Sequence, residues 1–198
     1  VNLTVDTAST LNLTNASGIE TLNMAGSAGN VTVSGVSSAV ALAVSDSAAA
    51  HTITFNDVTG SADTATVTVA GLSNAANLSL ANIETVALTL SGTTNSFDVV
   101  ATSATSLTIA GTGSGTIANL TTAGTDSLTS IDASSNSGNL TITTGQQETG
   151  STTDLSVTGG SGNDTLDVSA HTNSDVSVDG GAGNDTITVA LASSDTIA

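Results

Sequence analysis

Asp154-Leu155-Ser156-Val157-Thr158-Gly159-Gly160-Ser161-Gly162-Asn163-Asp164-Thr165-Leu166 is followed 21 residues later by Asp175-Val176-Ser177-Val178-Asp179-Gly180-Gly181-Ala182-Gly183-Asn184-Asp185-Thr186-Ile187. Each copy holds an aliphatic–polar alternation, a glycine cluster, an aspartate and the start of a second alternation. Period two is the signature of a strand with one face in a core and the other in solvent. Glycine clusters between such runs are turns. Two strands and two turns in 21 residues make one coil of a flattened solenoid, and stacking the copies buries both aliphatic faces.

The same alternation runs through the rest of the chain. It appears at Val1-Asn2-Leu3-Thr4-Val5, Leu11-Asn12-Leu13, Val31-Thr32-Val33, Thr66-Val67-Thr68-Val69, Leu78-Ser79-Leu80, Leu88-Thr89-Leu90, Leu107-Thr108-Ile109 and Leu140-Thr141-Ile142. Threonine on the outer face suits strands because it is β-branched. No helical stripe competes, the nearest approach being residues 39–50. The expected class is all-β: a right-handed parallel β-roll or β-solenoid with about two short strands per coil over residues 150–198. Residues 1–150, a Ser/Thr/Ala-rich β-repeat region, continue the solenoid or form a β-sandwich. A second unit covers 151–198.

Composition narrows function. The 198 residues include 17 carboxylates and no lysine or arginine, for a net charge of −17. Such a chain has nothing with which to meet nucleic-acid phosphates or an anionic membrane surface. It has no cysteine, hence no disulfide or thiolate metal site. No run of 18 apolar residues occurs, so no membrane-inserted helix is expected. The absence of an initiator methionine or a signal segment reads as a piece of a longer or processed protein. Catalysis is not expected. Gly111-Thr112-Gly113-Ser114-Gly115 misses the G-x-S-x-G elbow, and no carboxylate pair is set by spacing for acid–base work. Glu20 and Glu84 read as equivalent positions of a repeat.

The most specific feature is the pair of turns Gly159-Gly160-Ser161-Gly162-Asn163-Asp164 and Gly180-Gly181-Ala182-Gly183-Asn184-Asp185, each followed by Thr and a large aliphatic residue. Glycines let the backbone turn its carbonyl oxygens toward one point, and the aspartate adds an anionic oxygen. Calcium takes six to eight such oxygens in a forgiving geometry. Seven of the 17 carboxylates lie beyond residue 150, where they repel one another without a cation. Asp179 is a further candidate ligand. Asp46, Asp57, Asp63, Asp98 and Asp126 lack glycine neighbours and read as solvated turns. His51 and His171 have no ligand partners at a useful spacing and read as surface residues.

Both turns match the G-G-x-G-x-D-x-U-x nonapeptide, and here the chain resembles the RTX (repeats-in-toxin) family of secreted calcium-binding β-rolls. The resemblance implies bound Ca2+ and export outside the cell. It departs from the family in its 21-residue spacing, against the family's 18. The intervening turn near His171-Thr172-Asn173-Ser174 also lacks glycines. One calcium site is therefore expected, between the Asp164 and Asp185 turns. Segments such as Leu128-Thr129-Ser130-Ile131-Asp132-Ala133-Ser134 are similar to repeats of bacterial surface-layer proteins and large adhesins.

The resulting expectation is a calcium-stabilised structural segment of a secreted, self-assembling bacterial surface-layer protein, located on the cell surface or in the extracellular matrix. Self-association into a lattice or filament is the expected partnership, with cell-surface polysaccharide a further partner. The alternatives are an RTX adhesin or biofilm-matrix protein, and the non-catalytic β-roll of a secreted RTX enzyme. Asn-x-Ser/Thr triplets, including those at Asn139, Asn163 and Asn184, are what this composition produces by chance. Thr64, Thr66 and Thr68 raise an ice-binding face, which is not expected because the threonines do not recur at one position in successive coils.

Overall fold

Alternating side chains along this sequence need two apolar faces to meet, and parallel stacking of short strands supplies them. A computed structural model describes residues 2–5, 9–27, 29–73, 76–93, 95–121, 127–145, 152–172, 174–190 and 195–198. Among these are nineteen strands and no helix. One sheet of ten strands stacks β1 (Asn2–Val5), β3 (Thr21–Ala25), β5 (Ala41–Ser45), β7 (Thr64–Ala70), β9 (Thr85–Ser91), β11 (Ser106–Gly111), β13 (Ser130–Asn136), β15 (Leu155–Thr158), β17 (Val176–Asp179) and β19 (Thr196–Ile197) in that order. The facing sheet of nine holds β2 (Ser9–Asn12), β4 (Val31–Val36), β6 (His51–Phe55), β8 (Ala76–Ala81), β10 (Asn95–Val100), β12 (Gly115–Thr121), β14 (Leu140–Thr144), β16 (Thr165–Asp167) and β18 (Thr186–Thr188). Every pairing is parallel and joins a strand to the next but one, so each coil contributes one strand to each sheet. This is a β-solenoid with two strands per turn. At about 4.8 Å per step, the ten strands span roughly 43 Å.

The two sheets run without interruption past residue 150: β13 pairs with β15 and β14 with β16. Residues 1–150 therefore take the solenoid alternative, not the sandwich. Residues 39–50 form no helix; they hold β5 and a turn.

The interior is built of columns. Ala65, Val86, Leu107, Ile131, Val157 and Val178 occupy one register position in six successive strands, and none is more than 1% exposed. Facing them, Phe97, Ile117, Ile142, Leu166 and Ile187 form a second column. The outer faces are also in columns, which corrects the sequence expectation. Thr64, Thr85, Ser106, Ser130, Ser156, Ser177 and Thr196 share one position. Ser96, Thr116, Thr141, Thr165 and Thr186 share another. Hydroxyls do recur coil after coil. Coil length hides this in the sequence: the step from Ser96 to Thr116 is 20 residues and from Thr116 to Thr141 is 25.

Two single-residue expectations also change. His51 and His171 are buried, at 0% and 5% exposure, not on the surface. Asp98 lies within β10, half-buried, and not in a turn. Asp46 and Asp57 are exposed in turns, while Asp126 lies outside the described residues. Glu20 and Glu84 both immediately precede a strand of the ten-stranded sheet. Their registers differ, however, because Leu22 aligns through Leu42 and Val67 with Leu88.

Candidate metal centre

Turns that lead from the ten-stranded to the nine-stranded sheet all fall on one edge of the solenoid. Residues 159–164 link β15 to β16, and 180–185 link β17 to β18. Pairing of Leu155 with Val176 and of Thr165 with Thr186 stacks these two turns directly, 21 residues apart. All ten residues marked out in the sequence (Gly159, Gly160, Ser161, Gly162, Asp164, Gly180, Gly181, Ala182, Gly183 and Asp185) thus meet on one edge in consecutive coils.

Glycine is needed here because backbones touch. A Cβ on Gly162 would overlap the carbonyl oxygen of Gly138, one on Gly138 that of Gly113, and one on Gly183 that of Gly162. The four residues form a column in successive coils with no room for a side chain. Main-chain bonds tie the same turns together: Ser161 N–H donates to Asn136 O at 3.0 Å and Ala182 N–H to Gly160 O at 2.9 Å.

The aspartates reach backward, coil to coil. Asp164, 1% exposed, accepts Leu140 N–H on Oδ1 at 2.8 Å and Gly160 N–H on Oδ2 at 2.7 Å. Asp185 repeats the arrangement one coil later, its Oδ1 accepting Asp164 N–H at 2.8 Å. Its Oδ2 lies against Gly180, as Asp164 Oδ2 lies against Gly159. Leu140 occupies the equivalent site one coil before Asp164, so the aspartate pair is confined to these two turns.

The donor set is all oxygen, which is the chemistry of calcium and magnesium and not of zinc or copper. Each ionised carboxylate has about four lone-pair sites, and Asp164 uses two of them on backbone amides. Among the described residues no three His, Cys, Asp or Glu side chains converge. A cation at this edge would therefore draw its remaining ligands from turn carbonyls. Calcium is a cation that accepts such an all-oxygen set.

Sequence reasoning missed the asparagines. Asn163 N–H donates to Asn139 Oδ1 at 2.8 Å, and Asn184 N–H to Asn163 Oδ1 at 2.9 Å. Buried Asn136 donates through Nδ2 to Gly113 O and accepts Gly138 N–H. Buried Asn95 accepts Gly71 N–H and donates to Ser91 O and Ser114 O. The signal was present as Asn139-Leu140-Thr141, Asn163-Asp164-Thr165 and Asn184-Asp185-Thr186, triplets that are rungs of a ladder. Asn163→Ala removes one exposed rung, and we expect a loss of about 1 kcal/mol in a urea titration.

The opposite edge is capped by carboxylates in a different way. Asp154 Oδ1 accepts Asp175 N–H at 3.2 Å, and Asp195 Oδ1 accepts Val176 N–H at 2.9 Å. Asp167 Oδ1 accepts both the amide and the hydroxyl of Ser169. Asp179, the further candidate, faces solvent and accepts Gly181 N–H at 2.9 Å. Asp57 and Asp132 are likewise held by serines. The Ser37 hydroxyl lowers the pKa of Asp57 from its ordinary value, and hydrogen bonds from Ser134 lower that of Asp132.

No protein-family model, no curated protein and no solved structure matches this chain.

Proposed function

We propose that the chain is a calcium-stabilised structural segment of a secreted, self-assembling bacterial surface-layer protein, with no catalytic role. The observation that carries this reading is the stacking of the Asp164 and Asp185 turns in consecutive coils of a chain without a single cationic side chain. A buried carboxylate ordinarily has a cationic partner. Asp164 has only backbone amides. A divalent cation supplies the missing positive charge, and Asp164, Asp185 and neighbouring turn carbonyls are the groups that would hold it.

Folding then follows the metal. With little calcium, repulsion among seven carboxylates beyond residue 150 and the entropy of the glycine turns oppose coil stacking. With calcium at the concentrations outside cells, the cation offsets both. Self-association draws support from the charge of the rod. Surfaces carrying net charge −17 would need a bridging cation to meet one another.

The test is circular dichroism of the chain in calcium and then in chelator. Calcium at 100 times its Kd should raise stability by about 2.7 kcal/mol and the thermal midpoint with it. An unchanged strand signal and midpoint would overturn the calcium reading. Electron microscopy on calcium addition separates the alternatives, since a surface-layer subunit forms an ordered array and an adhesin spacer stays as single rods.

A further inference from the structure

His51 is the first residue of β6, and its neighbours in register are Val31 of β4 and Leu78 of β8. Its side chain therefore lies in the interior between two aliphatic neighbours, with 0% exposure. One polar contact is made: Nε2 lies 2.9 Å from Ser47 Oγ. Ser47 Oγ also donates to Ser27 O at 3.1 Å and accepts Ala49 N–H at 3.2 Å. The hydroxyl has a single hydrogen, which the Ser27 carbonyl takes. Nε2 is then the protonated nitrogen of a neutral ring, and Nδ1 carries the lone pair. Nδ1 is buried and has no hydrogen-bond partner.

A proton arriving on Nδ1 would thus create a buried cation whose new N–H has no acceptor. Among the described residues no charge stands by to compensate. Strands β4 and β8, paired on either side, carry no titratable residue, and neither do β3, β5 and β7 of the facing sheet. The adjoining turn, residues 46–50, contains only Asp46, which is exposed. Burial accordingly holds the imidazole pKa below its ordinary value of 6.5.

We propose that the coils around β4, β6 and β8 are an acid-sensitive section of the solenoid, which opens when His51 takes up a proton while the coils of β11 and β12 stay paired. The sign follows from linkage. The unfolded section binds the proton at ordinary imidazole pKa and the folded section does not, so stability is full above about pH 6.5 and falls as pH drops below it. One proton corresponds to at most a tenfold change in the opening equilibrium per pH unit, a limit approached well below pH 6.5 and above the folded-state pKa. The device lies apart from the Asp164 and Asp185 turns and does not depend on calcium.

Native-state amide exchange on the full chain, corrected for intrinsic rates, reads this directly at pH 7.5, 6.5 and 5.5, once in excess calcium and once in chelator. Protection in β4, β6 and β8 should fall about fivefold between pH 6.5 and 5.5 in both conditions, with that of β11 and β12 changing far less. His51→Leu, which matches its column neighbours, should abolish the local fall. Equal loss in all coils, or the same local loss in His51→Leu, overturns the proposal. Should that variant fail to fold, the C2–H exchange rate of His51 in the unaltered chain gives its pKa, and a value at or above 6.5 overturns it equally. Loss of the calcium response alone would leave this result untouched.

Discussion

Gly162→Ala should unzip the edge on which the aspartates sit. The added Cβ would meet the carbonyl oxygen and carbon of Gly138 and the amide nitrogen of Asn139. These are backbone atoms, fixed by sheet pairing on both sides, and cannot swing aside as a side-chain tip would. Relief requires the coils to separate locally. That strains the Ser161–Asn136 and Asn163–Asn139 bonds. Overpacking of this kind costs about 3 kcal/mol, enough to be a large part of the stability of an ordinary domain. Gly60→Ala is the control, because its Cβ would meet nothing nearer than Asp63 Oδ2 at 3.6 Å and Ala62 N at 4.0 Å, both ordinary contacts. That variant should match the parent or exceed it slightly. Urea midpoints of the two variants, measured side by side in chelator, decide the matter. Equal midpoints would mean that the glycine column does not set the spacing between coils.

The glycine column also shows how much of the molecule could be read without coordinates. The 21-residue copy predicts the observed pairing of Leu155 with Val176 residue for residue, since both strands and both turns recur without insertion. Upstream, equivalent residues stand at unequal intervals: 27 from His51 to Leu78 and 21 from Thr85 to Ser106. Turns absorb the extra residues without disturbing the strands, so the fold persists while the repeat disappears from the sequence. The hydroxyl columns were hidden for that reason.

His51 is a different case. In His51-Thr52-Ile53-Thr54-Phe55 the alternation puts the imidazole in phase with Ile53 and Phe55, and all three are buried. The phase of the alternation thus places the ring inside, although histidine as a residue type is only intermediate in burial. On the edge that carries Asp164 and Asp185, residue type and spacing located both turns. The backward reach of Asp164 to Leu140, across 24 residues, is a consequence of stacking that no local motif encodes.

Asp164→Ala should remove two functions of one carboxylate, and calcium separates them. In chelator the variant leaves the amides of Leu140 and Gly160 without their acceptor in a buried site, a loss of about 3 kcal/mol. Part of this is returned by the removal of one negative charge from a chain with none to balance it. In calcium the parent gains the binding contribution and the variant does not, so the gap between them should widen by about 2 kcal/mol or more. Asp185→Ala tests the other member of the pair. It frees only the partly buried Asp164 N–H, so it should cost less in chelator but lose the calcium increment just as fully. Asp46→Ala and Asp98→Ala remove the same charge elsewhere and should keep that increment. Thermal midpoints of the four variants across a calcium titration supply the comparison. If the Asp164→Ala gap is the same with and without calcium, the carboxylate serves as a clamp between coils, and the metal has no part in holding them.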